Sequence, residues 1–462
     1  MSRNFYLMVA IKLFFSSIED LQFWNYIVDI KTYKKIFSLL LSGEKVAFDK
    51  ENGLFSAEIS SNGSLLPYPK IGIYSGNGSS HSWLWLVDLL ENYFLYDISF
   101  LNGKNILKDD LNHIDIFIVS GGDTFAIAEE IGEEGSNKIK SFLESGGTYI
   151  GICAGAYLML KSSKTPLNFF NFTGGKIKNI SSSIPEPLSM SYKFSIKYGC
   201  QYLYHPVRGP VEIKLLGIPP LYNSNTIISP VYGGGFFIPS EDLIALANFH
   251  AFTKDTLFLV KEELATKTVL GSCAALKKNY GKGTIFLFSP HFEHPQFPKG
   301  NNIIIDTICY GIINEKRRVS NNRSTLPFDP YIKNNLKIIK NFLSNSRIIA
   351  RGLEGSSVYW KIGNKIWEAE KILIFIEAIW KRIVKEEKSR NKFRIKATEL
   401  SELEGLSLEV LLNLKKLKSE INSETDSLET SKNIFKQLTS LSCLFLSSYF
   451  KSKSESELAK YH

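Results

Sequence analysis

Three short apolar runs in this sequence each end on a glycine-bearing turn. Ile71-Gly72-Ile73-Tyr74 runs into Ser75-Gly76-Asn77-Gly78. Ile114-Asp115-Ile116-Phe117-Ile118-Val119 runs into Ser120-Gly121-Gly122-Asp123, and Thr148-Tyr149-Ile150-Gly151-Ile152 runs into Cys153-Ala154-Gly155. Helical patterns lie between them. Trp83, Leu86, Val87, Leu90 and Phe94 recur at three- and four-residue spacing, the mark of an amphipathic helix. Lys138 to Glu144 reads as a helix closed at Gly146-Gly147, where a left-handed cap fits. Strands alternating with helices predict an α/β unit whose parallel sheet is covered on both faces.

The pattern spans about residues 69–316. Beyond residue 205 it turns strand-rich, with Val211 to Leu215, Thr226 to Ser229, Leu243 to Asn248, Thr256 to Val260 and Thr284 to Phe288 as candidates, and a closing helix near Asn301 to Ile313. A chain of 462 residues exceeds one ordinary core, since domains typically run about 100–200 residues. Residues 1–68 form an N-terminal extension of mixed pattern. Residues 320–462 are rich in Lys, Glu, Ser and Leu, with Ile372, Ile376, Ile379 and Ile383 on one helical stripe and Leu406, Val410, Leu414 and Leu417 on another. They predict a helical C-terminal appendage able to pack on the core or dock a protein partner, with Lys451 to His462 frayed.

Composition excludes some functions. The formal net charge is +9, but Lys and Arg are interleaved with Glu and Asp, so no clustered nucleic-acid footprint is indicated. Neither a P-loop nor a G-x-G-x-x-G strand–helix unit is present. Phe5 to Ile11 is apolar, yet Lys12 interrupts it, which argues against a signal peptide. No run approaches the roughly 20 apolar residues of a spanning helix. The five cysteines, Cys153, Cys200, Cys273, Cys309 and Cys443, are scattered, with no CxxC pair. That pattern suggests neither a zinc ribbon nor a redox motif, and scattered thiols fit a reducing compartment. A cytoplasmic protein, with no cofactor, metal, membrane or nucleic-acid partner, is the expectation.

One cysteine stands apart. Gly151-Ile152-Cys153-Ala154-Gly155 has the form glycine-x-nucleophile-x-glycine, in which a tight strand-to-helix turn thrusts the central side chain out at the sheet's carboxyl edge. A helix opening at Ala154 would aim its amide end at the thiol. A structural cysteine in a glycine-rich turn is the competing reading. Ser289-Pro290-His291-Phe292-Glu293-His294 follows the strand Thr284 to Phe288. On an extended chain residues two apart share a side, about 6.6 Å apart at roughly 3.3 Å per residue, so Glu293 could orient His291 as a base–orienter pair requires. His294, the competing base, would point the other way. Backbone amides at Gly121, Gly122 and Ala154 could hold a developing oxyanion. All these elements follow strands, so parallel strands would gather them at one edge. His81, beside the first glycine loop, could line the same cleft.

The elbow and the later His291-x-Glu293 resemble the class I glutamine amidotransferases. More closely, Tyr74-Ser75-Gly76, Ser120-Gly121-Gly122-Asp123 and Gly151 to Tyr157 look like the N-terminal domain of biotin–protein ligases, as do Gly209-Pro210, Tyr232-Gly233-Gly234-Gly235-Phe236 and Tyr280-Gly281-Lys282-Gly283. The resemblance implies a flavodoxin-like doubly wound sheet. It implies Cys153 as nucleophile, His291 as base and then acid, Glu293 as orienter, and Gly122 and Ala154 amides as the oxyanion hole. Such a site would hydrolyse a small-molecule amide, with glutamine as the family's example, through a thioester. Phe292 stands where the amidotransferases usually carry proline. The Gly-Arg-Gly-Arg and Lys-Trp-Pro-Asn segments of biotin attachment are absent, as is a recognisable synthetase segment. Two readings follow: a thiol hydrolase or amidotransferase, and a non-catalytic binding or regulatory module on the same scaffold. A peptidase of related fold is a third.

Overall fold

The computed structural model describes residues 30–49, 54–56, 64–178, 206–216, 225–233, 235–314, 332–356, 358–388, 393 and 395–458. The apolar run at Phe5 to Ile11, Cys200 and Gly234 lie outside them.

The chain opens with helix α1 (Ile30–Leu41) and a small antiparallel sheet of β1 (Ala47–Asp49), β2 (Leu54–Ser56) and β3 (Ser64–Leu65). There follow β4 (Ile71–Tyr74), α2 (Trp83–Asn92), β5 (Ile98–Leu101), α3 (Gly103–Leu107), β6 (Ile116–Val119), α4 (Thr124–Glu144), β7 (Thr148–Ile152) and α5 (Ala154–Leu158). The strand-rich half holds β8 (Lys176–Ile177), β9 (Val207–Leu215), β10 (Thr226–Val231), β11 (Phe237–Ile238), β12 (Ile244–Phe252), β13 (Leu257–Phe258), α6 (Glu262–Val269), β14 (Cys273–Tyr280) and β15 (Gly283–Phe288), and ends in α7 (Pro298–Ile313). The C-terminal region contains α8 (Ile332–Glu354), a hairpin of β16 (Tyr359–Ile362) and β17 (Lys365–Glu368), α9 (Ala369–Lys388), α10 (Ala397–Asn422) and α11 (Leu428–Leu458).

The main sheet is mixed, in the order β10-β9-β12-β14-β15-β7-β6-β4-β5. From β15 to β5 every pairing is parallel, and from β10 to β15 every pairing is antiparallel. The parallel strands β4, β6, β7 and β15 are buried along their whole length. Burial on both faces is why they read as unbroken apolar runs. One face packs against α2, α7 and the C-terminal helices, the other against α4 and α5. Because β4, β6, β7 and β15 run parallel, the turns after Tyr74, Val119, Ile152 and Phe288 all emerge at one edge.

The structure adds strands that the pattern did not offer. Cys273–Tyr280 is a full strand, paired with β15 through the turn Gly281-Lys282, and Ile98–Leu101 forms the edge beside β4. The C-terminal region is helical except for the β16–β17 hairpin, and its last helix continues to Leu458. It does not hang free. Arg382 of α9, fully buried, binds Asp88 and Glu91 of α2 at 2.9 and 2.7 Å, and Cys443 of α11 donates to the Ser75 hydroxyl at 3.2 Å. No helix among the described residues is long and apolar enough to cross a membrane.

Candidate active site

Cys153 sits between β7 and α5 with φ 52° and ψ −111°, a backbone region that costs a non-glycine residue energy and marks a strained elbow. Its amide donates to Phe288 O of β15 at 2.8 Å, and Gly155 N donates to Ser120 O at 3.2 Å. The elbow is therefore tied to both neighbouring strand ends. A Cβ on Gly155 would lie 2.0 Å from Val119 O, so the second glycine is the only residue that lets the turn pack this close. The helix that opens at Ala154 is only five residues long. So few peptide units carry little macrodipole, and the expectation of a strong helix field on the thiol gives way to side-chain charges.

Those charges come from the turn after β15. His291 Nδ1 lies 2.8 Å from Glu293 Oε1, and Ser120 Oγ donates to the same oxygen at 3.0 Å. With Nδ1 occupied, Nε2 is the ring nitrogen left over, and the Cys153 sulfur lies close enough to favour the charged imidazole. Cys153, His291 and Glu293 are 7%, 4% and 1% exposed. Burial alone would lower the His291 pKa, but the Glu293 carboxylate and the Cys153 sulfur outweigh it and hold the imidazole at about 10. The segment is not extended as the two-residue spacing assumed. His291 N donates to Pro230 O at 2.9 Å, and the chain turns so that His294 N donates to His291 O at 3.1 Å. That turn brings His294 into the same cavity, against the expectation that it would face away.

The thiol opens into a cavity of about 570 Å³ lined by Cys153, His291, Gly121 and Gly122 together with His81, Trp85 and Tyr232. Gly121 abuts the imidazole so closely that a Cβ there would lie 2.7 Å from His291 Cε1. Neither the Gly122 nor the Ala154 amide is consumed by a backbone hydrogen bond among the described residues. Glu293 stands behind His291, and Ala154 is buried behind Cys153; neither lines the cavity. Trp85 is the hub of an aromatic cluster, its ring centroid 4.8 Å from His81, 5.7 Å from His291 and 4.4 Å from His294.

The remaining wall comes from the C-terminal region. Lys365, Ile366 and Glu368 of the β16–β17 hairpin and Lys371 of α9 all line the cavity. Asn364 N, in the hairpin turn, donates to Asp123 Oδ2 at 2.7 Å, while Asp123 Oδ1 caps α4 through Phe125 N and Ala126 N. The pattern had reduced this stretch to helix. Yet Tyr359-Trp360-Lys361-Ile362 and Lys365-Ile366-Trp367-Glu368 flank a two-residue Gly363-Asn364 link, which is a hairpin signal. Among the described residues no group of His, Cys, Asp and Glu is arranged to hold a metal.

The molecule is thus a mixed α/β protein with a buried thiol, imidazole and carboxylate at the carboxyl edge of its parallel strands, walled by a helical C-terminal region. Residues 69–168 match the family model of the biotin-protein ligase N-terminal domain. That segment carries the elbow and the Ser120 to Asp123 turn, and ends well before His291 and Glu293. No curated protein matches the chain. A beta-galactosidase from Rahnella sp. R3 is similar in structure with 12% identity and a TM-score of 0.27, over 53% of this chain and 32% of that one. The chain thus spans about a third of that enzyme's length, and so low a score carries no argument.

Proposed function

We propose that this protein is a thiol-dependent amide hydrolase or amidotransferase of the class I glutamine amidotransferase type, acting through Cys153, His291 and Glu293. One observation carries the reading: a buried imidazole with Nδ1 fixed 2.8 Å from a carboxylate, lining the same cavity as the elbow thiol. The parallel strands, numbered by chain position, have the order 2-1-3-4-5, which is that of flavodoxin-like sheets. Residues 69–316 carry the chemistry in this reading. A free thiol nucleophile suits the reducing cytoplasm.

The chemistry follows from the geometry. The Cys153 sulfur attacks the amide carbonyl carbon, and the oxygen takes up the charge beside the Gly122 and Ala154 amides. The carbon–nitrogen bond breaks as His291 hands its proton to the departing nitrogen, leaving a thioester. Water then adds to the carbonyl while His291 takes its proton, and the carbon–sulfur bond breaks, releasing the acid product and returning the Cys153 sulfur beside the protonated imidazole. Glu293 keeps the imidazole in register and balances its charge.

Glutamine is the first substrate to test. Wild type should release ammonia and Cys153→Ala should not. In parallel, alkylation of Cys153 at neutral pH should outpace that of Cys273 and Cys309 and be lost in His291→Ala. Equal reactivity of the cysteines rejects the activated thiol; reactivity without ammonia release rejects glutamine and leaves other amides. The second reading, a binding module, is favoured by the hairpin across the cavity and the 7% exposure of Cys153. It predicts ligand binding that survives Cys153→Ala, with no turnover by wild type.

A further inference from the structure

The cavity holds more charge than the thiol chemistry uses. Most of it is paired. Asp88 is bound by Lys381 and Arg382, Glu377 by Arg347 and Arg351, and Glu368 by Arg208 and Lys371. Lys365 differs. It lines the cavity, is half-buried, and has no carboxylate within ion-pairing distance among the described residues; its Nζ lies over the Trp367 ring, 5.7 Å from the centroid. Its amine is close enough to the Cys153 sulfur for their charges to interact. A cation withdrawn from water without a carboxylate in contact is costly. Burial, aided by Lys371 and Arg208 and opposed by the Cys153 sulfur and Glu368, pulls its pKa down to about 8, which still leaves most of it charged at neutral pH.

His81 is the second, independent observation. It is 6% exposed and lines the same cavity, and neither ring nitrogen has a hydrogen-bond partner. Burial and the nearby charges of Lys371, Lys365, His291 and His294 push its pKa well down, so it offers one donor and one acceptor. An unpaired ammonium and an unsatisfied imidazole on the wall of one cavity are a poor arrangement for stability. They make sense as ligand-facing groups.

We propose that Lys365, carried over the thiol by the C-terminal hairpin, is a specificity-determining residue that receives an anionic group on the non-reacting part of the substrate, with His81 hydrogen-bonding beside it. This rests on the reading of Cys153 as the nucleophile. It gives the C-terminal region a direct part in substrate selection, from residues far outside the matched 69–168 segment.

Two alkylating agents of nearly equal size test it. In both, the Cys153 sulfur bonds to a methylene carbon as iodide leaves, but iodoacetate carries a carboxylate where iodoacetamide carries a neutral amide. Rates at Cys153 are read by peptide mass on the full chain at pH 7. In Lys365→Met the iodoacetate-to-iodoacetamide rate ratio should fall about tenfold, as expected for losing one partly screened charge from the wall of the same cavity, with the iodoacetamide rate little changed. Lys365→Arg should restore the ratio, which guards against a misfolded hairpin. An unchanged ratio in Lys365→Met overturns the assignment while leaving the nucleophile intact. An equal fall for both reagents also overturns it, since Lys365 then acts on the sulfur. Wild-type Cys153 inert to both reagents removes the nucleophile reading, and this proposal with it.

Discussion

At the scale of single residues, the candidate site depends on how few atoms separate its parts. Glu293 Oε1 accepts from both His291 and Ser120, while Gly121 leaves no room for the ring to swing toward β6. Glu293→Gln keeps this shape and removes the charge. The imidazole, now held at about 10 by that carboxylate and the Cys153 sulfur against its own burial, should then titrate much lower, with only the sulfur left to oppose burial. At pH 7 it becomes neutral, and an uncharged imidazole no longer stabilises a neighbouring thiolate. The Cys153 alkylation rate at pH 7 should fall about tenfold or more, measured by peptide mass against pH. An unchanged rate would separate Glu293 from the thiol's reactivity. These three residues were legible in the sequence because each lies within one to five positions of a strand end, where local spacing implies position. In the sequence His81 stands out only as a neighbour of the glycine loop, since nothing local encodes that its ring nitrogens are buried without partners. His294 was misassigned because alternation holds only for extended chain, and here the chain turns.

At the scale of elements, the hairpin is the feature the pattern passed over. Lys, Glu and Leu on either side of it favour helix, and that composition masks a ten-residue exception built around Gly363, at φ 62°. Its turn chemistry was readable. Its destination was not, because the contact between Asn364 and Asp123 spans 241 positions and no periodicity encodes such a contact. Asp123 serves two elements at once, as N-cap of α4 and as anchor of the hairpin. Asp123→Ala should cost about 1 kcal/mol for the cap and roughly 1.5–3 kcal/mol for the hydrogen bond to a charged group, measured by urea unfolding. It should also speed the reaction of Cys153 with a bulky disulfide reagent more than with iodoacetamide, because the loosened hairpin no longer narrows the cavity. Equal acceleration for both reagents would mean that the hairpin does not control access.

At the scale of the whole molecule, the question is what binds the C-terminal region to the sheet. The strand–helix alternation of residues 69–316 was legible because buried parallel strands are continuous apolar runs. The docking of α9 and α11 on α2 was not, since it depends on one fully buried cation. Arg382 binds Glu91 and Asp88, and the Tyr449 hydroxyl and Lys385 Nζ each reach Glu91 Oε1 at 2.7 Å. Burial pushes the Glu91 pKa up, but Arg382 and the hydrogen bonds from Lys385 and Tyr449 prevail and hold it at about 2 instead of 4.5. A carboxyl depressed in the folded state adds stability that is fully present above the unfolded value, 4.5, and is lost as pH falls toward 2. A shift of that size corresponds to roughly 3 kcal/mol. Arg382→Met should remove about 3–5 kcal/mol at pH 7, because Asp88 and Glu91 lose the buried cation they share. The variant should also lose the acid sensitivity: with Arg382 gone Glu91 titrates nearer its unfolded value, so the stability gap between wild type and variant should narrow as pH drops from 5 to 2.5. Urea unfolding of both proteins across that range reads the gap directly. A constant gap would show that the link between the two halves of the molecule is packing around the Arg382 side chain, with its charge contributing little.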